Sequence, residues 1–234
     1  MIKALAIKEL REIAWILAIG AAAYACMVGL IISLSMTQGL LAIPGLRRFL
    51  QSIATYGSDR SLPFVQGSFT THYWVISFVL VVAIAFRQSL GENRRGTYCF
   101  LLHRPLSRTS VFITKLVVGL GLFLFVAALP LLALGTWAAT PGTHPGPFEW
   151  SMTLPAWKIW ASMSIAYLAT FLCGIRQARW RGSRLAPFAA MTLPLLLLAA
   201  PLPMPWLTGS LSILLIGALL LNCILWAAAT RDFA

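Results

Sequence analysis

From Leu185 to Thr230 the chain carries no formal charge, and a second uncharged stretch runs from Ile13 to beyond Leu34. Each exceeds the ~20 residues that a helix needs to cross a bilayer. In hydrocarbon every backbone N–H and C=O must find its partner inside the protein, so only helices and closed barrels span. Barrel strands would show alternating segments of about ten residues, whereas these runs are continuous. The fold class that follows is all-α integral membrane. Composition agrees: 10% of the residues are charged, where a soluble domain carries roughly a quarter.

Charge and turn residues set the expected boundaries. Six spans are expected, at about 13–35, 72–86, 111–139, 157–175, 185–200 and 207–229, within a single domain covering 1–234. Pro130 is an expected kink in the third. Pro201-Leu202-Pro203-Met204-Pro205 divides the last two. Residues 1–12, MIKALAIKELRE, place apolar side chains near helical spacing with Lys3, Lys8, Glu9, Arg11 and Glu12 between them. That pattern predicts an amphipathic interfacial helix ahead of the first span. A signal peptide is the competing reading, but the acids and the length of the apolar run argue against it. A further short outer helix is expected around Leu46, Phe49, Leu50 and Ile53.

The net charge of +12 would suggest nucleic acid in a soluble protein. No basic and aromatic interleaving supports that here, so no nucleic-acid partner is expected. Placing the N-terminus inside puts fourteen of the 18 Lys and Arg residues on the inner side and leaves Arg47, Arg48, Arg60 and Lys158 outside. This asymmetry predicts that both termini are cytoplasmic, in a multi-pass protein of the cell inner or plasma membrane. No Lys, Arg, Asp or Glu is expected deep in any span. Each would cost about 2.5–3.5 kcal/mol on insertion scales, and their absence removes the usual marker of a proton relay.

Signs of bond chemistry are sparse. The chain has no GxxxxGK[ST] phosphate loop, so it is not expected to hydrolyse ATP itself. His72, His103 and His144 fall in separate segments, and Cys26, Cys99, Cys173 and Cys223 form no CxxC pair. No metal site, disulfide framework or resident cofactor is therefore expected. Asp59 and Glu149, both in outer segments, make a weak carboxylate pair. An enzyme has no constellation behind it.

One polar island stands out, RQSLGENRRGTYCFLLHRPLSRTSVFITK from Arg87 to Lys115. It reads as a cytoplasmic loop over 87–110. Any positive-inside loop collects arginines, which explains the charge. It does not explain the apolar run Tyr98 to Leu102, held between two basic clusters and closed by Pro105. A short helix there would turn its charges to water and press Tyr98, Leu101 and Leu102 against a partner or the interface. Ser107 or Thr109 is placed to cap the helix of the third span.

This string resembles the first cytoplasmic loop of ABC-2-type transporter permeases. Their pattern is an acid, Gly-Thr, an apolar run ending in Leu-Leu, then Pro-x-Ser-Arg and a downstream Lys. Glu92, Gly96, Thr97, Leu101, Leu102, Pro105, Ser107, Arg108 and Lys115 occupy those positions, with Arg94, Arg95 and Arg104 beside them. KELRE before the first span is similar to the family's elbow helix. The resemblance implies a transmembrane subunit that pairs with a second permease copy or a sister permease. It also implies a separate ABC ATPase subunit, which holds ATP and magnesium and receives a coupling helix from this loop. Export is the family's usual direction. The connection from Pro201 to Trp206 leaves little room for the family's outer re-entrant hairpin, so that element is expected to be short or absent. The alternative is a membrane scaffold or assembly protein whose basic loop recruits a cytoplasmic partner or anionic lipid.

Overall fold

The computed structural model describes residues 2–36, 67–95, 107–141, 148–176, 185–190, 192 and 205–230. Five long helices fill most of them: α1 Ile2–Met36, α2 Gly67–Arg95, α3 Arg108–Ala139, α4 Leu154–Ile175 and α5 Pro205–Thr230. Short 3-10 turns occur at Trp150–Thr153 and Ala186–Phe188. All five long helices are long and apolar enough to cross a membrane. No strand occurs among the described residues. The chain is thus an all-helical protein of multi-pass membrane type.

Two compact units divide the chain. The first comprises Met1–Ala18, Phe78–Phe125 and Ala161–Ala234, and the second Ile19–Ser77 and Val126–Trp160. In the first unit Leu5, Ile13 and Ile16 of α1 are buried, as are Val81, Ile84 and Ala85 of α2. Phe112, Leu116 and Phe123 of α3 and the run Ile165–Leu172 of α4 add to the same core, in which Phe112 meets Phe171 edge-on at 6.3 Å. The second unit buries Tyr24, Phe69 and Tyr73 together with Ala127, Leu131 and Leu134 of α3. On α1, α2, α3 and α5 the buried positions recur every three or four residues, the stripe that lets one face pack while the other faces lipid, whereas α4 is buried continuously from Ile165 to Ile175. On α5 the outward face is rich in leucine, with Leu214 68% and Leu215 71% exposed, and it carries Trp226 near its end.

Several local details follow from sequence. Ser107 caps α3: its side-chain oxygen accepts the Ser110 backbone N–H at 3.2 Å, satisfying one of the orphan donors of a helix start. α3 continues through Pro130 without a break. Proline inside a membrane helix is tolerated in this way.

The structure differs from the sequence reading in three places. Residues 1–12 are not a separate interfacial helix, because Ile2–Met36 is one uninterrupted helix; no Gly or Pro interrupts it before Gly20. α2 does not stop at Arg87 but runs to Arg95, so the first two turns of the expected loop are helical. Finally, charge does lie in the interior: the side chains of Glu9 and Lys115 are fully buried. The expected outer helix near Leu46 and most of the fifth span lie outside the described residues.

Candidate functional site

The buried charges belong to the first unit. Lys115 Nζ of α3 donates to Glu9 Oε1 of α1 at 2.9 Å. Gln88 of α2 closes the other side, its Nε2 donating to Glu9 Oε2 at 3.1 Å and to the Lys115 carbonyl at 3.3 Å. The remaining amide oxygen of Gln88 accepts the hydroxyl of Tyr167, on α4, at 2.5 Å. The Tyr167 oxygen is also 3.5 Å from the Lys115 carbonyl, too far to compete for its single proton. Four helices therefore meet at one polar node, and every polar atom of Glu9 and Gln88 has a partner.

Small residues make room for it. A Cβ on Gly119 would collide with the Gln88 amide and the Tyr167 hydroxyl, with Gln88 Cδ at 2.8 Å. A Cβ on Gly174 would fall on the Ser89 side chain, 2.5 Å from its Cβ, and 3.2 Å from the Leu90 backbone nitrogen. α2 and α4 thus approach at a contact that only glycine allows, the usual device for close helix packing in membranes. Ser89 itself is occupied, donating to the Ala85 carbonyl at 2.6 Å.

Burying a carboxylate and an ammonium costs more in lost hydration than a poor pairing returns, so such a pair persists only with good geometry and satisfied lone pairs. The node meets both conditions. Its chemistry is that of a clamp: the carboxylate accepts a hydrogen bond on each oxygen and its side chain is fully buried, out of reach of a substrate. Among the described residues no group of three or more His, Cys, Asp or Glu is placed to hold a metal.

The residues of the polar island are placed as follows. Glu92, Arg94 and Arg95 form the last turn of α2. Gly96, Thr97, Leu101, Leu102, Arg104 and Pro105 lie outside the described residues. Ser107 caps α3, and Arg108, its first residue, is exposed. Lys115 is directed into the unit against Glu9 rather than to solvent, so as a contact for a cytoplasmic partner it is corrected to an interior anchor. Glu9, Gln88 and Tyr167 were not expected as site residues. A signal existed for Glu9: Leu5, Glu9 and Ile13 are spaced by four, and both neighbours are buried. Gln88 and Tyr167 are paired across 79 positions, which no local pattern reveals.

Fold and node together define a multi-pass helical membrane protein whose helices are joined by a buried charge clamp. Comparison with protein-family models, curated proteins and solved structures gives no match.

Proposed function

We propose that the chain is the transmembrane permease subunit of an ABC exporter of the ABC-2 type. In this reading it couples ATP hydrolysis by a separate subunit to movement of cargo across the cell inner or plasma membrane. The observation that carries the reading is the string Glu92 to Lys115, with its Gly-Thr, Leu-Leu and Pro-x-Ser-Arg elements, running from the end of one membrane-length helix into the start of the next. The polar node supports it physically. Gln88 lies roughly two turns before the end of α2, and Lys115 roughly two turns after the start of α3. Both roots of the loop are thereby fastened to each other, to α1 and to α4. A push delivered to residues 96–106 by a closing ATPase would move these helices as one body, which is what access switching requires.

Six spans complete this reading, residues 185–200 supplying the fifth and α5 the sixth, with a second permease copy or sister permease beside it. The N-terminal turns of α1 take the role of the elbow, as an extension of the first span. The buried Glu9 and Lys115 are committed to each other, which favours lipid-like, apolar or bulky cargo over ions.

The test is purification from native membranes in mild detergent. An ABC-type ATPase is expected to co-purify, and the charge reversal R94E/R95E is expected to release it while membrane insertion stays intact. Absence of an ATPase under gentle conditions, or undiminished capture by R94E/R95E, overturns the proposal and brings the scaffold reading forward.

A further inference from the structure

A groove of about 470 Å3 in the first unit is walled by the N-terminal turns of α1 and by Arg87 of α2. Its polar lining is Lys8, Arg11, Glu12 and Arg87, with Ile7 and Trp15 as its apolar edges. Three cations face one carboxylate there. Lys8 is engaged, 3.4 Å from Glu12. Arg11 is exposed and, among the described residues, has no ion-pair partner. The Arg87 Nε is buried and, among the described residues, has no hydrogen-bond partner.

The position of the groove identifies its ligand. On α1 the uncharged run begins at Ile13, directly after Glu12; on α2 the uncharged run ends at Phe86, directly before Arg87. The cations therefore stand where both helices pass from apolar to charged sequence, the level of a bilayer's headgroups. Trp15, 58% exposed, stands one turn beyond Arg11, where an interfacial indole sits between headgroup and chain. A soluble anion has no use for an apolar wall on that side. A lipid phosphate does, since its acyl chains must continue along the helices.

We propose that this groove binds the headgroup of an anionic phospholipid, its phosphate held by Arg11 and Arg87 and its glycerol region against Trp15. The inference depends on α1 and α2 crossing the membrane and is independent of the transporter reading. The bound lipid engages the guanidinium of Arg87 where it lines the groove and fastens α1 to α2 from the lipid side.

The experiment is native mass spectrometry of the full chain, delipidated in non-ionic detergent and titrated with phosphatidylglycerol or phosphatidylcholine of identical acyl chains. The wild type is expected to retain phosphatidylglycerol preferentially. R11Q, at an exposed position that does not threaten folding, is expected to weaken that retention about fivefold, the factor for one interfacial cation, and R11Q/R87Q further. R11K restores most of it, and K3Q/R176Q, which removes two exposed cations outside the groove, leaves it unchanged. Equal retention of the two lipids by the wild type overturns the proposal, as does an R11Q that binds like the wild type. Displacement of phosphatidylglycerol by millimolar inorganic phosphate also overturns it and assigns the groove to a soluble phosphate.

Discussion

The two units of this protein solve the same problem with different chemistry. Each must hold segments of α1, α2 and α3 together where no hydrophobic force distinguishes a neighbouring helix from lipid. The first unit uses an ion pair and an amide that converge on Glu9, and one phenol that holds the amide. The second uses neutral hydroxyls and rings. The Tyr24 and Ser77 hydroxyls share a hydrogen bond of 2.6 Å, Tyr73 donates to the Ala127 carbonyl at 2.9 Å, and the two tyrosine rings lie 5.7 Å apart. The difference is one of consequence under perturbation. A neutral hydroxyl that loses its partner leaves a modest deficit, whereas a buried ion that loses its partner leaves an uncompensated charge. The first unit is accordingly all-or-none and the second forgiving, which suits a unit that carries both roots of the polar island.

The largest effect tests that contrast directly. K115M leaves Glu9 buried without its counter-ion and is expected to destabilise the protein by about 3–5 kcal/mol, read from reversible unfolding in mixed detergent micelles. The double variant E9Q/K115M removes both charges and keeps an oxygen for Gln88 Nε2. It is expected to recover more than half of the loss. Strict additivity of the two substitutions would show that the pair is not coupled and would remove the basis for calling the node a clamp.

How much of this was legible beforehand follows from the same residues. The membrane class was legible because apolar runs longer than a bilayer crossing admit few folds. The Ser107 cap was legible because it is local chemistry. The node was not, because reading α1 by residue type assigned Glu9 to the wet face, while its spacing from Leu5 and Ile13 assigns it to the buried one. Lys115 misled in the same way: its neighbours Phe112, Leu116 and Gly119 mark a buried stripe, but a lysine near a basic loop reads as part of that loop. Partners for both lie on other helices, and pairing across such distances is a tertiary property. The continuity of α1 was missed for a related reason. Alternating charge suggested a boundary, yet nothing in those turns breaks a helix.

Glycine contacts sharpen the comparison at an intermediate scale. G174A places a methyl against Ser89 and 3.2 Å from the Leu90 nitrogen, and a backbone atom inside a helix has nowhere to go. A loss of about 1–3 kcal/mol is expected, typical of overpacking, and S89G in the same chain should return much of it by clearing the collision. G135A in the second unit meets Trp150 Cζ3 at 2.7 Å, but Trp150 is 51% exposed and its ring has room to swing away. Its cost should be clearly the smaller of the two in the same unfolding assay. The reverse order would mean that the first unit yields more readily than its contacts imply.

The smallest effect belongs to the hydroxyl pair of the second unit. Y24F removes one partner of the Tyr24–Ser77 bond and keeps the ring against Tyr73. Side-chain hydrogen bonds between membrane helices average about 0.6 kcal/mol in double-mutant cycles, because the separated helices find other partners for the same groups. Y24F and S77A should therefore each lie near that value, and Y24F/S77A should lose little more than either alone. Y167F applies the same change to a hydroxyl in the first unit, where it strips the Gln88 oxygen of its donor and disturbs an amide already committed to Glu9 and Lys115. It should cost more than Y24F although the atoms removed are identical. Equal costs would show that the charge at Glu9 does not strengthen the bonds around it, and the distinction between the two units would reduce to the ion pair alone.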